Sequence, residues 1–256
     1  MAPVNLLIVG AGSRGTGYAS YAAAHPDEVQ IVGVAEPREI YRQRLIDEYS
    51  IAPENVFADW RAAAAVEKFA DAVVVATQDA MHVEPAEAFA AKGYHMLLEK
   101  PMAPDEEGCR RIHQAVKTAG VMLAVCHVVR YTTVTQKIKQ LLDQGAIGDI
   151  VSVQRLEPVG YWHQAHSFVR GNWRNEAESS AMLLAKSCHD VDWLRYILGV
   201  PCKKVSSFGN LKHFRAEQKP AGAAARCLDC DLASECAYAA QKIYLGRVRD
   251  GQTGWP

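Results

Sequence analysis

No apolar run in the sequence approaches the roughly 20 residues needed to cross a bilayer. Neither sign of charge is in excess, because 28 Lys and Arg face 29 Asp and Glu for a formal net charge of −1. The basic residues are scattered rather than gathered into a stripe, so the electrostatic footprint of a nucleic-acid binder is missing. The seven cysteines are odd in number, and the first apolar segment starts too early to leave room for a secretory leader. Reduced thiols and a cytoplasmic location are therefore expected, rather than a disulfide framework. Low-complexity sequence is confined to Ala221–Ala225, and no internal repeat is visible.

What is present is apolar material in a regular order. Hydrophobic residues make up 49% of 256 positions, enough for two cores. Strand candidates at 4–10, 29–35, 71–76, 94–98 and 121–125 alternate with helical patterns beginning near Arg14, Arg38, Val83 and Asp105. The first strands are nearly all apolar, as in a parallel sheet covered on both faces. This alternation predicts a doubly wound α/β domain over 1–125. A short alanine-rich helix is expected within Asp59–Phe69.

A different pattern follows over 126–256. A helix from Thr133 to Gln144, a strand from Asp149 to Pro158, a polar aromatic stretch from Tyr161 to Glu178, a helix from His189 to Leu198 and a strand from Lys203 to Gly209 suggest a second, α+β domain. No closing strand precedes Gly254-Trp255-Pro256, so a truncated sequence is expected.

Gly10, Gly12 and Gly15 stand directly behind the run Leu6-Leu7-Ile8-Val9, with Ser13 and Arg14 inside the turn. Glu36 closes a second run, Ile31-Val32-Gly33-Val34-Ala35, twenty-one residues beyond the third glycine. A strand, a GxGxxG turn, a helix and an acidic residue at this spacing form a dinucleotide-binding fingerprint. The helix N-terminus favours the pyrophosphate, and Glu36 would accept from the ribose hydroxyls and repel a 2′-phosphate, which points to NAD over NADP. Arg38 argues the other way and keeps NADP open.

Glu99-Lys100-Pro101 ends the fifth strand, where doubly wound sheets hold ligands. Lys100 there can donate to a substrate oxygen and place charge beside a nicotinamide ring, and Pro101 can turn the chain through a cis bond. Lys186-Ser187-Cys188-His189-Asp190-Val191-Asp192 leads into an amphipathic helix. His189 is a natural proton carrier at neutral pH, Lys186 lies three residues before it, and Asp190 or Asp192 could orient it, with Asp192 favoured as a helix cap. Tyr161-Trp162-His163 and Arg170-Gly171-Asn172-Trp173-Arg174 mix flat rings with polar forks. Arg170, Trp173 and His163 suit a sugar, although an interface uses the same residue types. Cys227-x2-Cys230-x5-Cys236 could supply three zinc ligands with His213 as a fourth, or be ordinary thiols.

Together the N-terminal fingerprint, the Glu99-Lys100-Pro101 turn and the Lys186–Asp192 segment resemble the Gfo/Idh/MocA oxidoreductases, over residues 4 to about 245. The resemblance implies a Rossmann domain followed by an α/β domain on an open, mainly antiparallel sheet. It also implies that Lys100 contacts the reacting hydroxyl and that His189 serves as acid/base. Thr77 and Gln78, in Ala76-Thr77-Gln78-Asp79-Ala80-Met81-His82, match the family's loop beside the cofactor; His82 either joins them or packs at a helix start. Inositol-dehydrogenase-like members carry an aspartate four residues before the histidine, where this chain has Ala185 and, beside it, Lys186. The expected activity is NAD(P)-dependent hydride transfer to or from a sugar, cyclitol or derivative, by a homo-oligomer acting on a small molecule. A non-catalytic NAD-binding regulator and a redox-neutral NAD-dependent glycosidase are the alternatives.

Overall fold

The computed structural model of the chain describes residues 2–252, so the Gly254-Trp255-Pro256 end lies outside the described residues. Contacts divide the chain into two units. One holds the residues up to Thr135 together with Ser179–His189; the other holds Gln136–Glu178 and the residues from Asp190 onward.

Six strands form the sheet of the first unit: β1 (Val4–Val9), β2 (Val29–Ala35), β3 (Val56–Phe57), β4 (Ala72–Val75), β5 (His95–Leu98) and β6 (Leu123–Val125). They run parallel in the order β3-β2-β1-β4-β5-β6. Successive side chains of a strand face opposite sides, and the two cores divide accordingly. Leu7, Val9, Val73, Val75, Met96 and Leu98 pack on one face with Phe89 of α4 (Val83–Ala91) and Ile112 of α5 (Glu106–Ala119). Ile8, Val34 and Val74 pack on the other with Ala19 of α1 (Ser13–Ala24) and Leu45 of α2 (Glu39–Tyr49). Each fully buried aliphatic side chain contributes about 1.5–3 kcal/mol, so the apolar strand runs account for the doubly wound form. The expected alanine-rich helix is α3 (Trp60–Ala65), begun by Asp59, whose side chain accepts from Arg61 N. Strand β3 was not foreseen, since two residues carry no readable period. The strand order reverses between β1 and β4, which opens a crevice at the carboxyl ends of the strands.

Beyond β6, α6 (Thr133–Asp143) forms as expected. Two corrections concern helices. The polar aromatic stretch, given no helix by the sequence, contains α7 (Tyr161–His163), which continues into a π-helical segment, Gln164–Arg170. Helix α8 runs Met182–Leu198 rather than from His189, so Asp192 lies inside the helix and does not cap it. The earlier start follows from Met182-Leu183-Leu184-Ala185, good helix formers that no capping residue announces.

The strands expected at 149–158 and 203–209 are not formed, and among the described residues no strand follows Val125. A strand exists only through a partner's backbone. Without one, the alternation around Val151 has no sheet to join, and Val151 and Phe208 are 95% and 96% exposed.

Candidate active site

The turn after β1 separates what the fold needs from what a ligand needs. Gly10 has φ +91°, and a Cβ there would lie 2.6 Å from the Ala76 carbonyl oxygen. A Cβ on Gly15 would lie 1.9 Å from the Gly10 carbonyl oxygen. Both positions are closed by backbone. A Cβ on Gly12 would meet only Arg38 Nη2, at 3.6 Å, so the protein itself leaves that side of the turn open. Gly12 is also the N-cap of α1, which has neither a side-chain cap nor an acidic residue in its first turn. Free amide groups and an open approach over Gly12 fit the pyrophosphate of a dinucleotide.

Glu36, at the end of β2, is 2% exposed. Its Oε2 accepts from Ala11 N (2.8 Å) and Arg38 Nη2 (3.0 Å), and its Oε1 from Arg38 N (3.0 Å) and Arg38 Nε (2.7 Å). Burial alone would raise the carboxyl pKa, but the bonds from Arg38 and Ala11 hold it below the ordinary value.

At the end of β5, Glu99 is 5% exposed. It accepts from Arg14 Nε (2.8 Å), the Tyr18 hydroxyl (2.6 Å) and Lys100 N (2.9 Å). Burial opposes ionisation here too, yet Tyr18 and Arg14 bring the pKa below the usual carboxylate value. Arg14, expected at the cofactor, thus has its Nε committed to Glu99 and also donates to Tyr18. Burial and the bonds to Cys126 and Glu99 push the Tyr18 phenol far up, and burial takes the Cys126 thiol to about 11. Both stay protonated at neutral pH.

The Lys100–Pro101 peptide is cis. Lys100 Nζ donates to the carbonyl oxygen of Ala185, at 3.2 Å, the residue four positions before His189. His82 is fully buried at the N-cap of α4. Its Nδ1 lies 2.8 Å from the Pro101 carbonyl oxygen and its Nε2 3.2 Å from that of Thr77. His82 therefore ties the loop after β4 to the turn after β5. Thr77 Oγ1 donates to Met81 O, and Gln78 opens the short turn Asp79–Met81. Buried Asp79 accepts from Ser180 Oγ at 2.5 Å, just ahead of α8.

His189 sits on α8 in the same unit as Lys100. Its ring meets that of His127 edge to face at 5.8 Å, and its Nδ1 is buried without a hydrogen-bond partner. Burial, and then the charges of Lys100, His127 and Lys186, lower its pKa to about 4 against the opposing pull of Glu99. The imidazole is neutral at pH 7. Asp190 does not orient it, being paired with Arg155 at 2.7 Å.

Tyr18, His127, Asp79 and Ser180 were not anticipated. Two of them had a signal: Tyr18 lies one helical turn after Arg14, and His127 follows the carboxyl end of β6.

The other sequence candidates belong to the second unit. Arg170 donates to the Tyr238 carbonyl and lies 3.6 Å from Cys227 Sγ. The Trp173 ring packs 6.0 Å from Phe168, and His163 stacks on Trp162 at 5.5 Å. Cys227, Cys230 and Cys236 are free and partly buried, while His213 packs against Phe214 and Tyr238. Among the described residues, no group of three or more His, Cys, Asp or Glu is arranged to hold a metal. No helix among them is long and apolar enough to cross a membrane.

Comparison with known proteins agrees with this architecture. An inositol 2-dehydrogenase of Streptomyces avermitilis is 28% identical over 199 residues, 77% of this chain and 53% of the relative. The 2,7-anhydro-N-acetylneuraminate hydratase of Escherichia coli K12 is 31% identical over 147 residues, 57% of this chain and 38% of the relative. The WlbA dehydrogenase of Bordetella pertussis, solved with NADH and UDP-GlcNAcA, superposes with a TM-score of 0.63 at 25% identity, covering 77% of this chain and 58% of that one. The chain thus spans between about two fifths and three fifths of the length of these proteins. Residues 4–127 match the family model described as an oxidoreductase family with an NAD-binding Rossmann fold, and residues 135–227 match the GFO/IDH/MocA C-terminal domain. The chain belongs to the GFO/IDH/MocA oxidoreductase family.

Proposed function

We propose that the chain works as an NAD(P)-dependent oxidoreductase, moving a hydride between the nicotinamide and a CH–OH carbon of a sugar, cyclitol or related polyol. The observation that carries this reading is Lys100 at the end of β5, with Nζ on the carbonyl of Ala185 in α8, four residues before His189 of the same unit. The bound cofactor supplies the hydride acceptor or donor. The chain's residues handle the oxygen. Lys100 Nζ gives one N–H to Ala185 and has two more to offer a substrate hydroxyl. Its charge favours the alkoxide form. Neutral His189, on α8 in the same unit, takes the hydroxyl proton on its imidazole. A base this weak gains from a neighbouring cation that makes the hydroxyl more acidic, which is the task assigned to Lys100. Glu99, clamped by Arg14 and Tyr18, fixes the strand end from which Lys100 projects.

Polyhydroxylated rings recur in the relatives' names, which supports the substrate class. The hydratase name favours a second reading, in which the hydride leaves and returns within one turnover and no net oxidation occurs. A panel of aldoses, cyclitols, sugar acids and anhydrosugars with NAD+ or NADP+ separates the readings. Net reduction of the nicotinamide supports the dehydrogenase. Product without net change in the cofactor supports the redox-neutral enzyme, and binding without conversion supports a regulator.

A further inference from the structure

We propose that Arg38 selects the 2′-phosphorylated dinucleotide, so that this site takes NADP at least as well as NAD despite the acidic residue at the end of β2. The proposal rests on the reading of the glycine turn as a dinucleotide site. An ionised carboxylate has about four lone-pair positions, and four donors occupy those of Glu36: Ala11 N and three N–H groups of Arg38. As it stands, Glu36 has nothing left with which to accept the 2′- and 3′-hydroxyls of a ribose. Its negative charge, which would repel a 2′-phosphate, is neutralised by the bidentate guanidinium.

The guanidinium itself is aimed for a second partner. Nε and Nη2 hold Glu36, and among the described residues neither Nη1 hydrogen has an acceptor. Planar forks of this kind suit phosphate oxygens. The side chain is half exposed, and its guanidinium carbon lies 4.0 Å from the centre of the Tyr41 ring. Arg38 Nη2 is also the one atom near the open side of Gly12. It thus borders the turn that would receive the cofactor. Arg42 adds a second cation on the same segment, with Nη1 on the carbonyls of Glu36 (2.5 Å) and Pro37 (3.3 Å). A 2′-phosphate can thus bind Arg38 without prising it from Glu36, whereas the ribose hydroxyls of NAD must compete with Arg38 for the same carboxylate.

Equilibrium titration tests this with NAD+, NADP+, ADP and adenosine 2′,5′-bisphosphate, none of which requires turnover. The wild type should bind NADP+ at least as tightly as NAD+, and the bisphosphate more tightly than ADP. In Arg38→Gln the preference for NADP+ over NAD+ should fall by at least tenfold, because Glu36 is then both free for hydroxyls and bare towards phosphate. Arg38→Lys keeps the charge without the fork and should fall between the two. Thermal unfolding of each variant checks that the fold is retained. A wild type that binds NAD+ more tightly than NADP+, or an Arg38→Gln preference changed by less than tenfold, overturns the proposal and leaves the dinucleotide site standing. A wild type that binds neither dinucleotide overturns the site itself.

Discussion

Gly15 and Gly12 of the turn should respond to the same substitution in opposite ways. At Gly15, alanine would bring a Cβ to 1.9 Å from a backbone oxygen that cannot step aside without moving β1 or α1. Overpacking against side chains costs about 1–3 kcal/mol, and backbone is less forgiving, so a loss of about 3 kcal/mol or more is expected. At roughly 2–4 °C per kcal/mol for a domain of this size, the unfolding midpoint should fall by about 6–12 °C, or the variant should not fold. Gly12→Ala is different. Its φ of −73° suits any residue, its Cβ would meet nothing nearer than 3.6 Å, and exchanging glycine for alanine at an N-cap costs about 1 kcal/mol. The midpoint should therefore move by no more than about 4 °C, yet dinucleotide affinity should drop by at least tenfold, because the new methyl group occupies the approach to the pyrophosphate. Differential scanning calorimetry and dinucleotide titration on both variants give the two numbers. Gly12→Ala that binds as the wild type does, or Gly15→Ala with an unchanged midpoint, would refute the division of labour.

Two further outcomes follow from the charges at the strand ends. The rate should depend on His189 deprotonation with an acid limb at about 4 rather than at the ordinary 6.5; a free-enzyme kcat/KM profile whose limb sits at 6.5 contradicts the buried, cation-flanked setting. Glu36 and Glu99 have lowered pKa values, so their stabilisation is complete above the ordinary carboxylate value and lost as pH falls through the lowered ones. His189 acts in the same sense between 6.5 and about 4. Unfolding midpoints measured from roughly pH 7 to pH 3 should decline on the acid side, and less steeply in Glu99→Gln; identical slopes would show that the Arg14–Tyr18–Glu99 cluster does not hold an ionised carboxylate.

The parts of this architecture legible in the sequence are those whose signal is local. The apolar runs of β1, β2, β4, β5 and β6, the glycine spacing and Glu99-Lys100-Pro101 each declare themselves within a few residues. Contacts between distant segments do not. Nothing near Glu99 announces that Tyr18, eighty-one residues earlier, donates to it, nor that His82 joins two loops through Pro101 and Thr77. Glu36 was legible as an acidic residue in the right place, but not as one already saturated by Arg38. The start of α8 escaped because Met182 has no capping residue ahead of it. The segments 149–158 and 203–209 have the alternation of strands, but alternation specifies a face and not a partner.

The most direct test of the account is His189→Ala together with Lys100→Ala, assayed on a substrate that the panel identifies. Dinucleotide affinity should stay close to that of the wild type in His189→Ala, while turnover falls by roughly 10²–10⁴-fold. Lys100→Ala should also slow turnover, and the double variant should lose less than the product of the two effects, because both groups act on one oxygen. Wild-type turnover in His189→Ala would contradict the account and leave His189 a packed structural histidine.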